Sequence, residues 1–309
     1  MDGKHYKIKA VPDDPSYIDA FSPRFDGRNV FWFDDSGRER AAKAENLRVE
    51  RDGSWNFWNP KQSESITFMP VEYPILPPFW ESTAALKQVC VSPIDDGRAY
   101  FRPFLCRGNP DNARTFLVGI NPATPIYPHD ISLDDYAKLL GNYELFLAYY
   151  RDRRGRQGKT GISPTRRGID SLGKWLENLT SAPVLETNII AYPTRKASDL
   201  KREPDYILQK GSQIFKSLLL GIRPALIVLH GAETIEGFIQ VLAETGLAKD
   251  ALSVNEKKEE FAKKAPLISF CYEDGSLAKV FACRHLRFYG NEGNSYAEFR
   301  KLISDSMRG

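Results

Sequence analysis

Residues 115–124 read Thr-Phe-Leu-Val-Gly-Ile-Asn-Pro-Ala-Thr (TFLVGINPAT), an apolar run that stops abruptly in a turn. Thr115 to Ile120 has the unbroken hydrophobicity of a strand buried on both faces, the kind found in parallel sheets. Three further runs share it: Val184 to Ala191, Ala225 to Leu229 and Val280 to Cys283. Helical periods separate them, at Leu133 to Tyr150, Thr165 to Leu179, Tyr206 to Leu220 and Ala232 to Thr245, and a last helix is expected from Ser295 to Met307. Strands alternating with helices of this length imply a parallel-sheet α/β/α sandwich. In such sheets ligands bind beyond the carboxyl ends of the strands, so the segments directly after each strand carry the functional information.

The rest of the chain is organised differently. Upstream of Pro70, short aromatic or β-branched runs at Asn29 to Phe33, Leu47 to Glu50, Ser54 to Trp58 and Ser65 to Met69 are separated by turn residues, including Asp52-Gly53. They predict a small antiparallel meander. Core packing is the default role for its aromatics, and base stacking the minority one. A proline-rich linker at Tyr73 to Pro78 and a helix from Phe79 to Val89 lead into the α/β region. The expected division is a β-rich region over residues 1–75 and a second domain over residues 76–309.

The 309 residues are 42% hydrophobic and 27% charged, the balance of an ordinary globular protein. A net charge of +3 is too small to nominate a nucleic-acid binder, because the local field decides that question. No apolar run reaches bilayer length, and Met1 to Ala10 lacks the apolar centre of a signal peptide. A cytoplasmic location, no membrane contact and a monomer are therefore expected. Cys90, Cys106, Cys271 and Cys283 contain no closely spaced pair, so neither a metal nor another cofactor is expected.

The first strand ends in Gly119-Ile120-Asn121-Pro122-Ala123, where Gly and Asn-Pro make a sharp turn. The second carries a polar Thr187-Asn188 pair inside an apolar strand, and a buried asparagine must satisfy both its donors and its acceptor. The third ends in His230-Gly231, and a lone histidine there reads as a satisfied buried one. The fourth ends in Arg284-His285-Leu286-Arg287-Phe288-Tyr289-Gly290, where His285 between two arginines is the stronger candidate.

In this order the four segments resemble the uracil-DNA-glycosylase-like superfamily. GINPAT looks like the water-positioning GINPG motif of the mismatch-specific (thymine/uracil) branch. Asn188 matches the asparagine that reads the base edge, and RHLRFYG is similar to the family's histidine-led HPS loop, with Leu286-Arg287 in place of Pro-Ser. The likeness covers Arg114 to the C-terminus. It implies a monofunctional DNA glycosylase that extrudes a pyrimidine and hydrolyses its N-glycosidic bond, in repair or antiphage defence. By the same resemblance Asn121 orients the water and His285 stabilises charge on the departing base, with Gly119, Ile120, Pro122, Ala123 and Asn188 forming the pocket. An amide does not titrate, so Asn121 cannot be a general base, and Asp130 or His129 is the alternative supplier. Strict uracil enzymes place a tyrosine after the motif's proline; Ala123 stands there in this chain, which implies tolerance of 5-substituted pyrimidines. A branch of the superfamily that removes bulky modified cytosines from phage DNA is similar in this respect.

The implied partner is DNA, single- or double-stranded. Arg151 to Lys159 (RDRRGRQGK) reads as a basic loop, with Arg153 and Arg154 as phosphate contacts. Ser163 caps the next helix with Pro164 at its first position, a terminus suited to phosphate alongside Arg166. Arg195-Lys196 and Lys201-Arg202 follow the Asn188 strand. Arg287 and Tyr289 complete the expected DNA surface, with Phe288 or Tyr289 as a wedge for the gap left by the flipped base. Two alternatives stand beside this reading. One is a non-catalytic DNA-binding member of the same fold. The other is an unrelated α/β nucleotide-processing enzyme, disfavoured because no GxGxxG or GxxxxGK[ST] follows the first strand.

Overall fold

In a computed structural model, the described residues are 78–92, 97–247, 266–290 and 292–308, with the N-terminal region described through its backbone strands. Those strands are β1 (Lys4–Lys7), β2 (Arg24–Phe25), β3 (Asn29–Phe33), β4 (Glu39–Lys43), β5 (Leu47–Val49), β6 (Trp55–Asn59) and β7 (Glu64–Met69). The expected single meander is corrected to two sheets. β5, β6 and β7 run antiparallel as expected, but β1 joins β7 in parallel, and β2, β3 and β4 form a separate antiparallel sheet. β1 and β4 (KHYK and ERAAK) carry little β-branched or aromatic character, so their pairing was not visible in their composition. The aromatic side chains of this region and the linker up to Pro77 lie outside the described residues.

The second region is α/β, built on one mixed six-stranded sheet. Its strands are β8 (Leu105–Cys106), β9 (Thr115–Gly119), β10 (Val184–Asn188), β11 (Leu226–His230), β12 (Ile268–Cys271) and β13 (Leu277–Cys283), in the spatial order β12-β13-β11-β9-β10-β8. The four expected strands are parallel neighbours; β12 and β8 add an antiparallel strand at each edge, so the all-parallel expectation is corrected. The edge strands are short or half-exposed and carry too weak a pattern to stand out.

Helices cover both faces, and the side-chain alternation of the strands sorts the two cores. Leu117, Val228 and Phe281 face α4 (Pro164–Thr180) and α7 (Ala297–Arg308), where Leu172, Leu176, Phe299 and Ile303 pack. Phe116, Val118, Leu229 and Val280 face the larger core, which includes α1 (Thr83–Cys90), α2 (Leu133–Leu140), α3 (Tyr143–Arg156), α5 (Asp205–Ile222) and α6 (Ala232–Glu244). The stretch expected as one helix from Leu133 to Tyr150 is two: Gly141 ends α2, and Asn142 caps α3 by accepting from the Leu145 N–H at 3.0 Å. The apolar periodicity runs through the break, which hid it.

The chain leaves β9, the first parallel strand, with β10 on one side and β11 on the other. Consecutive connections therefore depart in opposite directions at the β9/β11 boundary. This is the crevice that open α/β sheets use for ligands.

Candidate active site

Gly119 closes β9, paired with Asn188 of β10, while His230 closes β11 on its other flank. A methyl group at Gly119 would stand 2.7 Å from Asn188 Oδ1 and 3.0 Å from His230 Nε2. Both side chains thus lean over the same glycine from opposite sides, and only a residue without a side chain leaves that floor open. Asn188 and His230 are each 8% exposed. Among the described residues neither side chain has a hydrogen-bond partner, and His230 Nδ1 is fully buried without one. The polar pair in β10 is now explained: Thr187 points to the other face and donates to the Pro103 carbonyl at 2.7 Å, whereas Asn188 is left to the crevice.

His285 lies beside His230 and Gly231, its ring perpendicular to that of His230 with centroids 5.6 Å apart. Its Nδ1 accepts from the Arg287 backbone N–H at 3.1 Å, which caps the short turn Leu286–Phe288. A neutral imidazole has one N–H, so this bond places the proton on Nε2 and makes that atom a donor. Partial shielding from water, then the nearby Arg287 charge, lower the His285 pKa. Burial, followed by His285 and Arg166, pushes that of His230 down to about 3. Both rings are neutral at physiological pH.

Asn121 follows two residues after the glycine. Its Nδ2 donates to Thr194 Oγ1 at 2.7 Å, and that hydroxyl donates to the Lys196 carbonyl at 2.6 Å, tying the Asn-Pro turn to the segment after β10. Thr194 N also donates to the Pro122 carbonyl. Arg102, 6% exposed, holds the turn from beneath by donating to the carbonyls of Ala123 (3.2 Å) and Thr124 (2.9 Å). Ile120 is half-buried, Pro122 buried and Ala123 exposed. Sequence reasoning missed Arg102 and Thr194. The available signal for Arg102 was one arginine inside the apolar run Ala99 to Cys106.

Several residues expected on DNA are placed otherwise. Arg151 to Arg156 belong to helix α3 rather than a loop. Arg153 donates to the Pro125 carbonyl and to Asp130 Oδ2 (3.0 Å), and Arg154 to the Gly161 carbonyl (3.0 Å), so both bind their own chain. Arg166 is buried, paired through two nitrogens with Glu186 and through Nε with Asp170 at 2.7 Å. Burial opposes its charge, and these carboxylates more than offset that. It has no reach to a phosphate. Tyr289 is 1% exposed and packs against Tyr296, so it is no wedge. Ser163 caps α4 as expected, accepting from the Arg166 N–H at 3.1 Å. Asp130 faces Arg153 and accepts from the Tyr127 N–H, while His129 is exposed.

No protein-family model matches this chain, and no curated protein matches it. The chemistry of the crevice therefore rests on its own geometry: a bare floor, an unbonded amide, two neutral imidazoles, and a braced Asn-Pro turn. Around it, Arg284, Arg287 and Arg195 are exposed. Phe288 is 48% exposed, with the guanidinium of Arg287 4.4 Å and that of Arg284 5.6 Å from its ring centre. Among the described residues no His/Cys/Asp/Glu group is arranged to hold a metal, all four cysteines are free, and no helix is long and apolar enough to cross a membrane.

Proposed function

We propose that the protein is a monofunctional DNA glycosylase of the uracil-DNA-glycosylase type, which binds an extruded pyrimidine over Gly119 and hydrolyses its N-glycosidic bond. The observation that carries the reading is the meeting of Asn188, with its unbonded amide, and the neutral His230 over a side-chain-free floor, with His285, its Nε2–H a donor, beside His230. Such a site suits a flat, neutral heterocycle on which negative charge develops as it departs. A donor preset toward that charge typically contributes ~10²–10³ in rate. Asn121, held by Thr194, orients the attacking water without taking its proton. With Asp130 turned to Arg153, the turn provides no strong base, and a slow reaction is the expected consequence.

Phe288 takes the part of the wedge that fills the vacated base step, flanked by two arginines that meet phosphate. The exposed Ala123 leaves the pocket open toward a 5-substituent. The test is base release from oligonucleotides, single-stranded and duplex, bearing uracil, mismatched thymine or 5-substituted cytosine. Release that is lost in Asn121→Ala and His285→Ala while DNA binding persists supports the reading. Tight binding of every DNA without any release would instead make the chain a non-catalytic DNA-binding protein.

A further inference from the structure

We propose that His230 is a second reader of the base, donating through Nε2 to a ring carbonyl beside the amide of Asn188. This rests on the glycosylase reading and narrows its substrate class to 4-oxo rather than 4-amino pyrimidines. The starting point is an incomplete hydrogen-bond account. His230 is 8% exposed, its Nδ1 is buried without a partner, and its Nε2 lies on the open side, over Gly119. With Nδ1 sealed and unpaired, Nε2 is the one nitrogen through which this ring can meet a ligand, and it has no partner within the protein among the described residues.

The chemistry of the missing partner follows from the ring. Orphaned buried N–H groups are rarer than orphaned acceptors, so the single proton belongs on Nε2 and the bare lone pair on Nδ1. His230 therefore offers a donor to the crevice. Beside it, the Asn188 atom closest to the same point is the acceptor Oδ1. A donor next to an acceptor matches the adjoining C=O and N–H of uracil, thymine and their 5-substituted forms. Cytosine presents an amino group and a bare ring nitrogen on that edge, the reverse order. An amide can be turned over to suit either base. A ring whose second nitrogen is sealed in the core cannot, so His230 carries the discrimination. The Arg166 cation is taken up by Glu186 and Asp170, which leaves the contact neutral.

The deciding experiment compares single-turnover base release from matched oligonucleotides carrying a 5-substituted uracil or the corresponding cytosine. Wild type, His230→Leu and His230→Gln are used, each shown folded by its melting temperature. The expected result is a wild-type preference for the 4-oxo base and a loss of roughly tenfold to a hundredfold on that base in His230→Leu. The ratio of 4-oxo to 4-amino rates should collapse, and His230→Gln, whose amide can turn over, should restore part of the 4-oxo rate without the preference. In parallel, NMR of the histidine nitrogens with free uracil and free cytosine should move His230 Nε2 with uracil alone. An unchanged preference in folded His230→Leu overturns the proposal, as does an equal loss on both bases with an unmoved Nε2. If wild type releases no base from any DNA, the glycosylase reading fails separately. The free-base titration then decides His230 alone: a shifted Nε2 upholds its contact, and a silent one removes it.

Discussion

Thr124 holds a left-handed backbone conformation, φ +70°, and its carbonyl accepts from the buried Arg102 guanidinium at 2.9 Å. A non-glycine residue in that region typically costs ~1–3 kcal/mol and persists only when its surroundings impose it. Arg102 supplies the imposition, and it is the brace of the Asn121-Pro122-Ala123 turn. Arg102→Met should lower stability by about 1–3 kcal/mol in urea unfolding and slow base release further. Arg102→Lys should recover little of either, because one ammonium lacks the planar fork that serves two carbonyls. Wild-type kinetics in a stable Arg102→Met protein would show that the turn stands without its brace.

Gly119→Ala tests the floor. The new methyl falls 2.7 Å from Asn188 Oδ1 and 3.0 Å from His230 Nε2, so both must shift. Base release should drop by roughly a hundredfold, as ångström-scale misplacement does, with a stability change of about 1–3 kcal/mol. Single-turnover kinetics beside thermal melting separate the two effects.

If the proposed glycosylase reading holds, the pH dependence of base release follows from His285. Its folded pKa lies below the ordinary 6.5, and its working form is neutral, with Nδ1 accepting from Arg287. The rate should be level above pH 6.5 and fall as the pH drops through the lowered pKa, because protonation converts the Nδ1 acceptor into a donor facing another N–H. A rate that climbs on acidification would assign the work to the imidazolium instead.

Stability should carry the mark of His230. In the unfolded chain it takes up a proton near pH 6.5, while in the folded protein it resists until about 3. Its contribution is fully present above 6.5 and is lost as the pH falls from there, at up to about 1.4 kcal/mol per unit. Unfolding free energies at about pH 7 and about pH 5 should diverge more for wild type than for His230→Leu. Equal pH slopes would mean that His230 titrates alike in both states.

On the same reading, DNA affinity should draw on Arg287 and not on Arg153. Arg287→Ala should reduce the slope of log affinity against log salt by ~0.9 on duplex or ~0.7 on single strands. Arg153→Ala should leave the slope unchanged and lower the melting temperature, because it unties α3 from Pro125 and Asp130. The reverse pattern in a salt titration would put α3 on the DNA.

The parallel strands could be read from the sequence because full burial on both faces writes an unbroken apolar run, and Gly119 and Asn188 were found because each breaks such a run. The residues misjudged were the charged ones. Arg153, Arg154 and Arg166 look alike in a basic stretch, and only the fold reveals that Pro125, Gly161 and Glu186 lie opposite them. Tyr289 and Phe288 are adjacent aromatics; the turn after His285 buries one and exposes the other. His230 was judged satisfied on general grounds, and it took three-dimensional neighbours to reveal that its Nδ1 is not.

Helix α4 meets the His285 turn at Gly168, where any side chain would collide with the Leu286 carbonyl and crowd Tyr289. The height of the imidazole above the sheet is thus fixed by how near a helix backbone comes to a turn, at a position that touches nothing in the crevice. Enlarging residue 168 would jack that turn outward and deepen the chamber while every lining side chain stayed the same. On the glycosylase reading, substrate range can then drift through substitutions hidden behind the wall, where a comparison of crevice residues alone would find two such proteins identical.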